Sequence, residues 1–389
     1  MTIRGQNGAL TKLEPIEPMR VLCLVKRWYH HTASGGYDRL AREVRATVVQ
    51  RTRSSGSLNR AWRRLWYMMS RTKLYLSDYT YDDLLAERRL LASSRLKKPD
   101  VVHVLYGDEQ LDLLLRSREL LSCPLVASFH LPIFRVMDRF ERRQKHLLGG
   151  IDAAVVVSRC QLEDFQRWLG PDRVVYVPHG IDTRRFCPVD HDSQRRQIRL
   201  IIVGEHMRDW EALRRIVEEC NARKLPVQID AVVEQRWRPL FSEFANTRLH
   251  TRISEDELIR LYQEADALLV PVADATANNT VLESLACGTP VISNSVGGIP
   301  DYVDDTCGWL FGKGEVMEIV RLIDQFCHNP EIAWSRREAA RCKAMEFSWE
   351  RIAEQMMAIY EAVAEGASPA EAMTTWEQSP RTTLASPPV

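Results

Sequence analysis

The chain has 389 residues, 45% hydrophobic and 27% charged, a composition that suits a soluble globular protein with room for two domains of ordinary size. Its nine cysteines include no Cys-x-x-Cys pair and make an odd total, which argues against a disulfide framework or a zinc knuckle and for a reducing, cytosolic compartment. No apolar run approaches the ~20 residues of a membrane span, and the polar start MTIRGQNGALTKLEPIEP lacks the apolar core of a secretory signal.

Residues 1–18 read as a flexible lead-in. Val21–Val25 is the first apolar strand, and a polar loop after it leads to Ser34-Gly35-Gly36-Tyr37-Asp38 at a helix start. Glycines there let a ligand approach the helix amides and the positive dipole end; a plain tight turn would use the same residues. Between Arg39 and Lys73 stand ten Lys or Arg against the single acid Glu43. That is +9 locally in a chain of net charge +1, so the remainder carries −8 and one part of the surface is suited to an anionic partner. Within this stretch Trp62, Leu65, Trp66 and Met69 share one helical face, with Arg60, Arg63, Arg64 and Arg71 beside it. Such a helix either packs its Trp face on the core or lies on an anionic bilayer through residues 58–73. Aromatics among arginines also suit nucleic acid, but nothing else in the chain supports that partner.

Further strands are expected at Val101–Leu105, Leu125–Phe129, Ala153–Val157 and Val174–Val177, then at Leu200–Val203, Val227–Val233, Ala267–Val270 and Pro290–Ser293. Three-and-four spacing predicts helices over Asp209–Ala222, Glu255–Ala265 and Glu315–Cys327. Near-continuous apolar strands alternating with helices mean parallel sheets covered on both faces. Nine strands exceed one small doubly wound domain, and the polar run from Phe186 to Arg196 marks a break. Two Rossmann-like domains are expected, over 19–188 and 197–345. Ser348 caps an amphipathic helix over 348–365, and the Pro-, Ser- and Thr-rich residues 368–389 are expected to be disordered.

The most informative stretch runs from Asp274-Ala-Thr-Ala-Asn278-Asn279 through Glu283-Ser-Leu-Ala-Cys-Gly-Thr-Pro290 to Gly297-Gly298-Ile-Pro300. An apolar strand ends in a polar loop, a short helix carries one carboxylate, and a second strand ends in a Gly-Gly turn. The loops of such a unit open on the edge of a parallel sheet where nucleotides bind.

This stretch resembles the nucleotide-sugar signature of the family-four retaining glycosyltransferases, whose usual form is Glu, seven residues, Glu, then Ala-x-Ala-Cys-Gly-x-Pro-Val. The resemblance implies a GT-B fold: two Rossmann-like doubly wound parallel-sheet domains facing a central cleft, with the C-terminal helix crossing back to the first. It implies a nucleotide-diphospho-sugar donor held mainly by the second domain and a glycan, lipid-linked or small-molecule acceptor entering from the first. Glu283 matches the second Glu, which in the family holds the donor ribose. The first Glu falls on Ala275, and Asp274 could take its place only if the loop shifts by one residue. Asn278 and Asn279 fall where the family's loop meets the donor.

By the same resemblance Gly35, Gly36 and Asp38 lie near the donor phosphates and the acceptor, and His130, closing its strand, lies near the transferred sugar. His130 and Asp274 are the candidate catalytic residues. His103, inside a strand, reads as a hydrogen-bonded core or near-site residue. Ser158-Arg159 and His179-Gly180-Ile-Asp182 match two further landmarks, the second shaping the inter-domain connection. The family's diphosphate-binding Arg falls on Glu205, which leaves Arg208 as the cation in reach, unless Arg208 is a solvated charge or a partner for Asp209. Gly297 and Gly298 either present amides to the donor or make a turn that the fold requires. No cofactor and no metal are expected, since no Asp-x-Asp stands in a suitable loop. The cytoplasm, at the inner face of a membrane if the basic helix docks there, is the expected location. Two alternatives stay open: a GT-B protein that binds a nucleotide sugar without turning it over, and a GT-B nucleotide-sugar epimerase. A nicotinamide dehydrogenase is disfavoured, because no Gly-x-Gly-x-x-Gly follows either first strand.

Overall fold

The computed structural model describes residues 18–27, 36–53, 57, 60–62, 64, 65, 68, 79–139, 148–190 and 197–379. Gly35 and most of the basic stretch therefore lie outside the described residues. Two six-stranded, all-parallel sheets carry the fold. The first runs β2-β1-β3-β4-β5-β6, built from β1 (Val21–Val25), β2 (Thr47–Gln50), β3 (Val101–Val104), β4 (Leu125–Phe129), β5 (Ala153–Val156) and β6 (Val174–Tyr176). The second runs β12-β11-β10-β7-β8-β9, from β7 (Ile198–Val203), β8 (Val227–Val232), β9 (Thr247–His250), β10 (Ala267–Leu269), β11 (Val291–Asn294) and β12 (Gly308–Phe311).

Side chains alternate across each sheet, so each strand feeds two cores. Leu22 and Leu24 of β1 enter one core, while Val21, Cys23 and Val25 enter the other. In β7, Ile201 and Val203 face one core and Leu200 and Ile202 face its opposite. Burying each such Val, Leu or Ile contributes about 1.5–3 kcal/mol, which is why these strands read so clearly as apolar runs. Cys23, Cys123 and Cys287 are buried in these cores, as expected of small apolar side chains.

The strands β2, β9 and β12 were not expected from the sequence. All three lie at sheet edges, where one side is half covered and polar residues interrupt the run, as in Thr47-Val-Val-Gln50 and Thr247-Arg-Leu-His250. The helix Trp349–Ala364 lays Trp349, Ile352, Met356, Ile359 and Tyr360 on the core that holds Val21 and Cys23, so the chain does cross back to the first sheet. The disorder expected over 368–389 is corrected for its first part, where Pro369–Gln378 is a helix capped by Ser368, whose Oγ accepts from the Glu371 amide (3.3 Å), while residues 380–389 lie outside the described residues. Composition hid a start signal here, since Ser, then Pro, then Glu at the third position satisfies the free amides of a first turn, and Met373 docks on the first domain. In the basic stretch the described residues Trp62, Leu65 and Met68 are 51%, 42% and 71% exposed, so these side chains do not pack on the core.

The two crossings between the domains run side by side. The Ile181 amide donates to Phe347 O (2.8 Å), and the Trp349 amide donates to Ile181 O (3.2 Å). Gly180 is required there, because a Cβ on it would lie 2.3 Å from the Trp349 ring.

Candidate active site

In the second sheet the chain leaves β7 toward β8 on one side while β10 flanks β7 on the other, so the crevice between the ends of β7 and β10 is a switch point of the topology. The loops after these two strands are tied together: the Ala273 amide donates to Met207 O (2.8 Å), and the Asp209 amide donates to Pro271 O (3.1 Å). Arg208 is folded into this crevice, 6% exposed. Its Nε and Nη2 donate to Val203 O (3.1 and 2.7 Å), Nη1 to His206 O (3.2 Å), and Nη2 also to Thr280 Oγ1 (2.9 Å). Burial lowers its pKa from 12.5 to about 10, which still leaves it cationic at neutral pH. Arg208 is thus not a solvated charge. Nor does it serve Asp209, whose Oδ1 instead accepts from the Ala212 amide (3.0 Å) to cap the helix Trp210–Ala222.

Thr280 opens the helix Asn279–Ala286 and links Arg208 to the cap: the Asn278 Oδ1 accepts from both Thr280 N (3.1 Å) and Thr280 Oγ1 (2.8 Å). Asn278 is therefore an N-cap, and Asn279 stands exposed at the helix start. Glu283, one turn on, is 8% exposed and accepts a hydrogen bond from the Tyr262 hydroxyl (3.0 Å). Burial pushes its carboxyl from 4.5 up to about 7, against the opposing pull of Tyr262 and Arg208. Glu205, at the position of the family's Arg, accepts from the Glu234 amide (2.8 Å) and pairs with Arg236, so it ties the end of β7 to the turn after β8.

In the loop before the helix, Ala275 stands where the resemblance places an acid. The Ala275 methyl is 7% exposed and belongs to the apolar core of the second domain. Asp274 is half-buried and turns Oδ1 back onto the Ala275 amide (2.7 Å). Gly297, at φ +55°, sits so close that a Cβ would lie 2.2 Å from Ala275 O and 2.6 Å from Asp274 Oδ1. The Gly298 amide donates to Ala275 O (2.8 Å) and is spent on the loop rather than presented to a ligand. Of the two readings of these glycines, close packing of the fold accounts for Gly298.

On the opposite side, β4 delivers His130 to the cleft. Its amide donates to Asp108 Oδ2 (2.6 Å) and its Nε2 meets Leu105 O (2.8 Å); a carbonyl only accepts, so Nε2 carries the proton. Tyr37 stands edge-on to the imidazole at 4.5 Å between ring centres, and Tyr106 is tilted at 5.0 Å. Gly36, at φ +109°, makes the turn that delivers Tyr37, while Asp38 pairs with Arg27 (3.8 Å). His103 is a core residue. Its Nδ1 lies 2.6 Å from Tyr360 OH and its Nε2 lies 2.8 Å from Ser128 Oγ, and burial pushes its pKa down to about 3. At the end of β1, Lys26 pairs with Glu109 (2.8 Å) and Asp83 (3.5 Å), so buried charges fill the switch point of the first sheet.

The two halves meet. Thr276 Oγ1 donates to His130 O. Asp301 Oδ2 accepts from Ser158 Oγ and from the Arg159 amide, both at 2.8 Å. Tyr302 OH donates to Val157 O (2.5 Å) and accepts from the His179 amide (3.0 Å). The sequence pointed to Ser158, Arg159 and His179 as landmarks, but their partners Thr276, Asp301 and Tyr302 carried no local signal. Tyr262, Asp108 and Tyr37 were missed for the same reason. Among the described residues no group of three or more His, Cys, Asp or Glu could hold a metal ion.

The chain is similar to known proteins. Residues 28–185 match the family described as Glycosyltransferase Family 4, and residues 243–343 match Glycosyl transferases group 1. The MMP alpha-(1->4)-mannosyltransferase of Mycolicibacterium hassiacum is 26% identical over 271 residues, 61% of this chain and 65% of the relative. The sulfoquinovosyl transferase SQD2 of Arabidopsis thaliana is 24% identical, covering 67% of this chain and 56% of the relative, so the chain spans less than two thirds of both. A D-inositol 3-phosphate glycosyltransferase of Geodermatophilus obscurus is 27% identical over 68% of this chain and 67% of its own length. Among solved structures, sucrose-phosphate synthase of Thermosynechococcus elongatus superposes with a TM-score of 0.67 at 16% identity, covering 90% of this chain and all of that one. Anabaena HepE in complex with UDP-glucose superposes with a TM-score of 0.64 at 14% identity, over 87% and 98%. The signature around Glu283, the paired parallel sheets and the two family matches agree, and the chain belongs to the family-four glycosyltransferases of GT-B fold.

Proposed function

We propose that the chain is a retaining hexosyltransferase that takes a nucleotide-diphospho-sugar as donor and glycosylates a glycan, lipid-linked or small-molecule acceptor entering from the first domain. The observation that carries the reading is the presence, at one switch point, of two buried groups: the Glu283 carboxylate, which accepts from Tyr262, and the Arg208 guanidinium, which holds Thr280 one turn before Glu283. Glu283 accepts hydrogen bonds from the donor ribose. Arg208 meets charge on the leaving diphosphate, with loop amides and the helix start at Asn279, and no metal is called on. Such fixed charges stabilise a developing anion without reorganising at the moment of reaction. His130 faces the transferred sugar from the first domain, and closure of the cleft keeps water from the donor. That Anabaena HepE was solved with UDP-glucose supports a nucleotide sugar as the donor class.

The test is a thermal-shift screen over nucleoside diphosphates and nucleotide sugars. A ligand that stabilises the native chain but not Glu283→Ala is the expected result; if no member of the panel stabilises the native chain, the donor site is misread. A second reading, binding without turnover, draws on Ala275 standing where the family has an acid. It is distinguished by nucleotide binding without release of sugar or transfer to any acceptor.

Peripheral contact with an anionic membrane, at the inner face, belongs to the same proposal. Exposed Trp62, Leu65 and Met68 beside exposed Arg60 and Arg64 support it. No helix among the described residues is long and apolar enough to cross a membrane. Flotation with vesicles of neutral and anionic lipid tests it, and absence of binding to both removes it.

A further inference from the structure

Thr276, Asp301 and Tyr302 of the second domain hydrogen-bond to residues at strand ends of the first, and the Thr276 bond falls on His130. The Thr276 side chain is 4% exposed, and its hydroxyl donates to the His130 carbonyl. The rest of His130 is held by the first domain: its amide by Asp108, its Nε2 by Leu105 O, and its ring by Tyr37 and Tyr106. Thr276 is held just as firmly on its own side. A Cβ on Gly298 would lie 2.3 Å from Thr276 O and 2.5 Å from Ser158 Oγ, so Gly298 packs closely against both the Thr276 backbone and Ser158 after β5. Three residues on, Asp301 takes Ser158 Oγ and the Arg159 amide at 2.8 Å. The same loop leads two residues later into Asn278, the cap wired through Thr280 to Arg208.

We propose that Thr276 is a positioning residue for transfer: its hydroxyl sets the spacing between His130 on the first domain and the nucleotide-holding helix start on the second. The inference rests on the glycosyltransferase reading, because it assigns the spacing a role in the reaction. Rates of reactions between held groups fall steeply with sub-ångström misplacement. A hydroxyl that bridges the two halves therefore acts on the step that follows binding, while Glu283 and Arg208 stay with their own partners.

The variants are Thr276→Val, which keeps the shape and removes the donor, and Thr276→Ser, which keeps the hydroxyl. The ligand is the nucleotide sugar that gives the largest thermal shift with the native chain. Three readouts are taken: its Kd, the rates of donor hydrolysis and transfer, and hydrogen exchange at the amides of His130 and Leu131. For Thr276→Val the Kd should stay within about twofold while turnover falls roughly tenfold and the share lost to hydrolysis rises, with Thr276→Ser restoring both. Exchange at His130 and Leu131 should quicken by about fivefold in the Val variant, the effect of one lost hydrogen bond, and return in the Ser variant. Turnover unchanged in the Val variant, equal loss in both variants, or loss of nucleotide binding would each overturn the proposal. If no nucleotide sugar binds the native chain, the functional reading has failed, and the exchange data alone decide the contact: unchanged protection in Thr276→Val refutes it.

Discussion

Glu283→Gln separates what the carboxylate does for binding from what it does to the fold. Burial raises its pKa from 4.5 to about 7, with the Tyr262 hydrogen bond and Arg208 pulling the other way. The folded chain therefore holds a proton that the unfolded chain releases. The stability this contributes is fully present below 4.5 and is lost as pH rises through about 7. At 1.36 kcal/mol per unit, the ionised form at pH 8 is disfavoured by roughly 3 kcal/mol. Glutamine is neutral at every pH, and its carbonyl oxygen can still accept from Tyr262. At pH 8 the variant should melt several degrees above the native chain, at about 2 °C or more per kcal/mol in a chain of this size, and the gap should close toward pH 4.5.

The functional cost runs opposite. Ribose hydroxyls donate to an ionised carboxylate, so nucleotide affinity of the native chain should tighten as pH rises toward 7, by up to about tenfold per unit, and the Gln variant should bind weakly with a flat profile. Differential scanning fluorimetry across pH 5–8, with and without the stabilising nucleotide, reads both effects. A Gln variant less stable than the native chain at pH 8, or one whose nucleotide shift is unchanged, refutes the reasoning.

His103→Gln should act on the acid side. Burial pushes His103 from 6.5 down to about 3, so the unfolded chain takes a proton the folded chain refuses, and stability falls as pH drops below 6.5. At pH 5 that amounts to roughly 2 kcal/mol, which the variant should lose as a pH dependence when urea midpoints are compared between pH 7 and 4.5. Gly180→Ala puts a methyl 2.3 Å from the Trp349 ring at the crossing between the domains. Overpacking of this kind costs about 1–3 kcal/mol, so the melting temperature should fall and the near-ultraviolet signal of tryptophan should change.

The interior strands were legible because burial on both faces forces uninterrupted apolar residues, as in Val21–Val25 and Leu200-Ile-Ile-Val203. The edges were not, because half-covered strands such as Thr47–Gln50 tolerate polar residues that break the pattern. The candidate site carried a signal of a different kind: Glu283 and its flanking residues form a local signature. The inter-domain contacts have none. Thr276 and His130 are 146 residues apart, and nothing about either sequence neighbourhood says that a hydroxyl of one will find the carbonyl of the other. Arg208 shows the intermediate case, since its position after a strand-end glycine was visible but its burial against Val203 and Thr280 was not.

Restoring the family's acid by Ala275→Glu tests whether the loop has lost a residue or changed its packing. A lost residue would leave a pocket ready to receive the carboxylate. Here the Ala275 methyl lies in a core with Val272, Val281 and Ile299, its carbonyl accepts from Gly298, and Gly297 leaves no room behind it. A glutamate at 275 must either bury its charge among those apolar groups or push the loop outward. Burial of an unpaired carboxylate costs several kcal/mol. Displacement breaks the Gly298 bond and moves Thr276 away from His130. Either way Ala275→Glu should lower stability by at least about 3 kcal/mol and should not raise turnover, measured by urea unfolding beside sugar release. If the variant is as stable as the native chain and turns over faster, the loop has kept the family's geometry and the reading of Ala275 as a packed core residue fails.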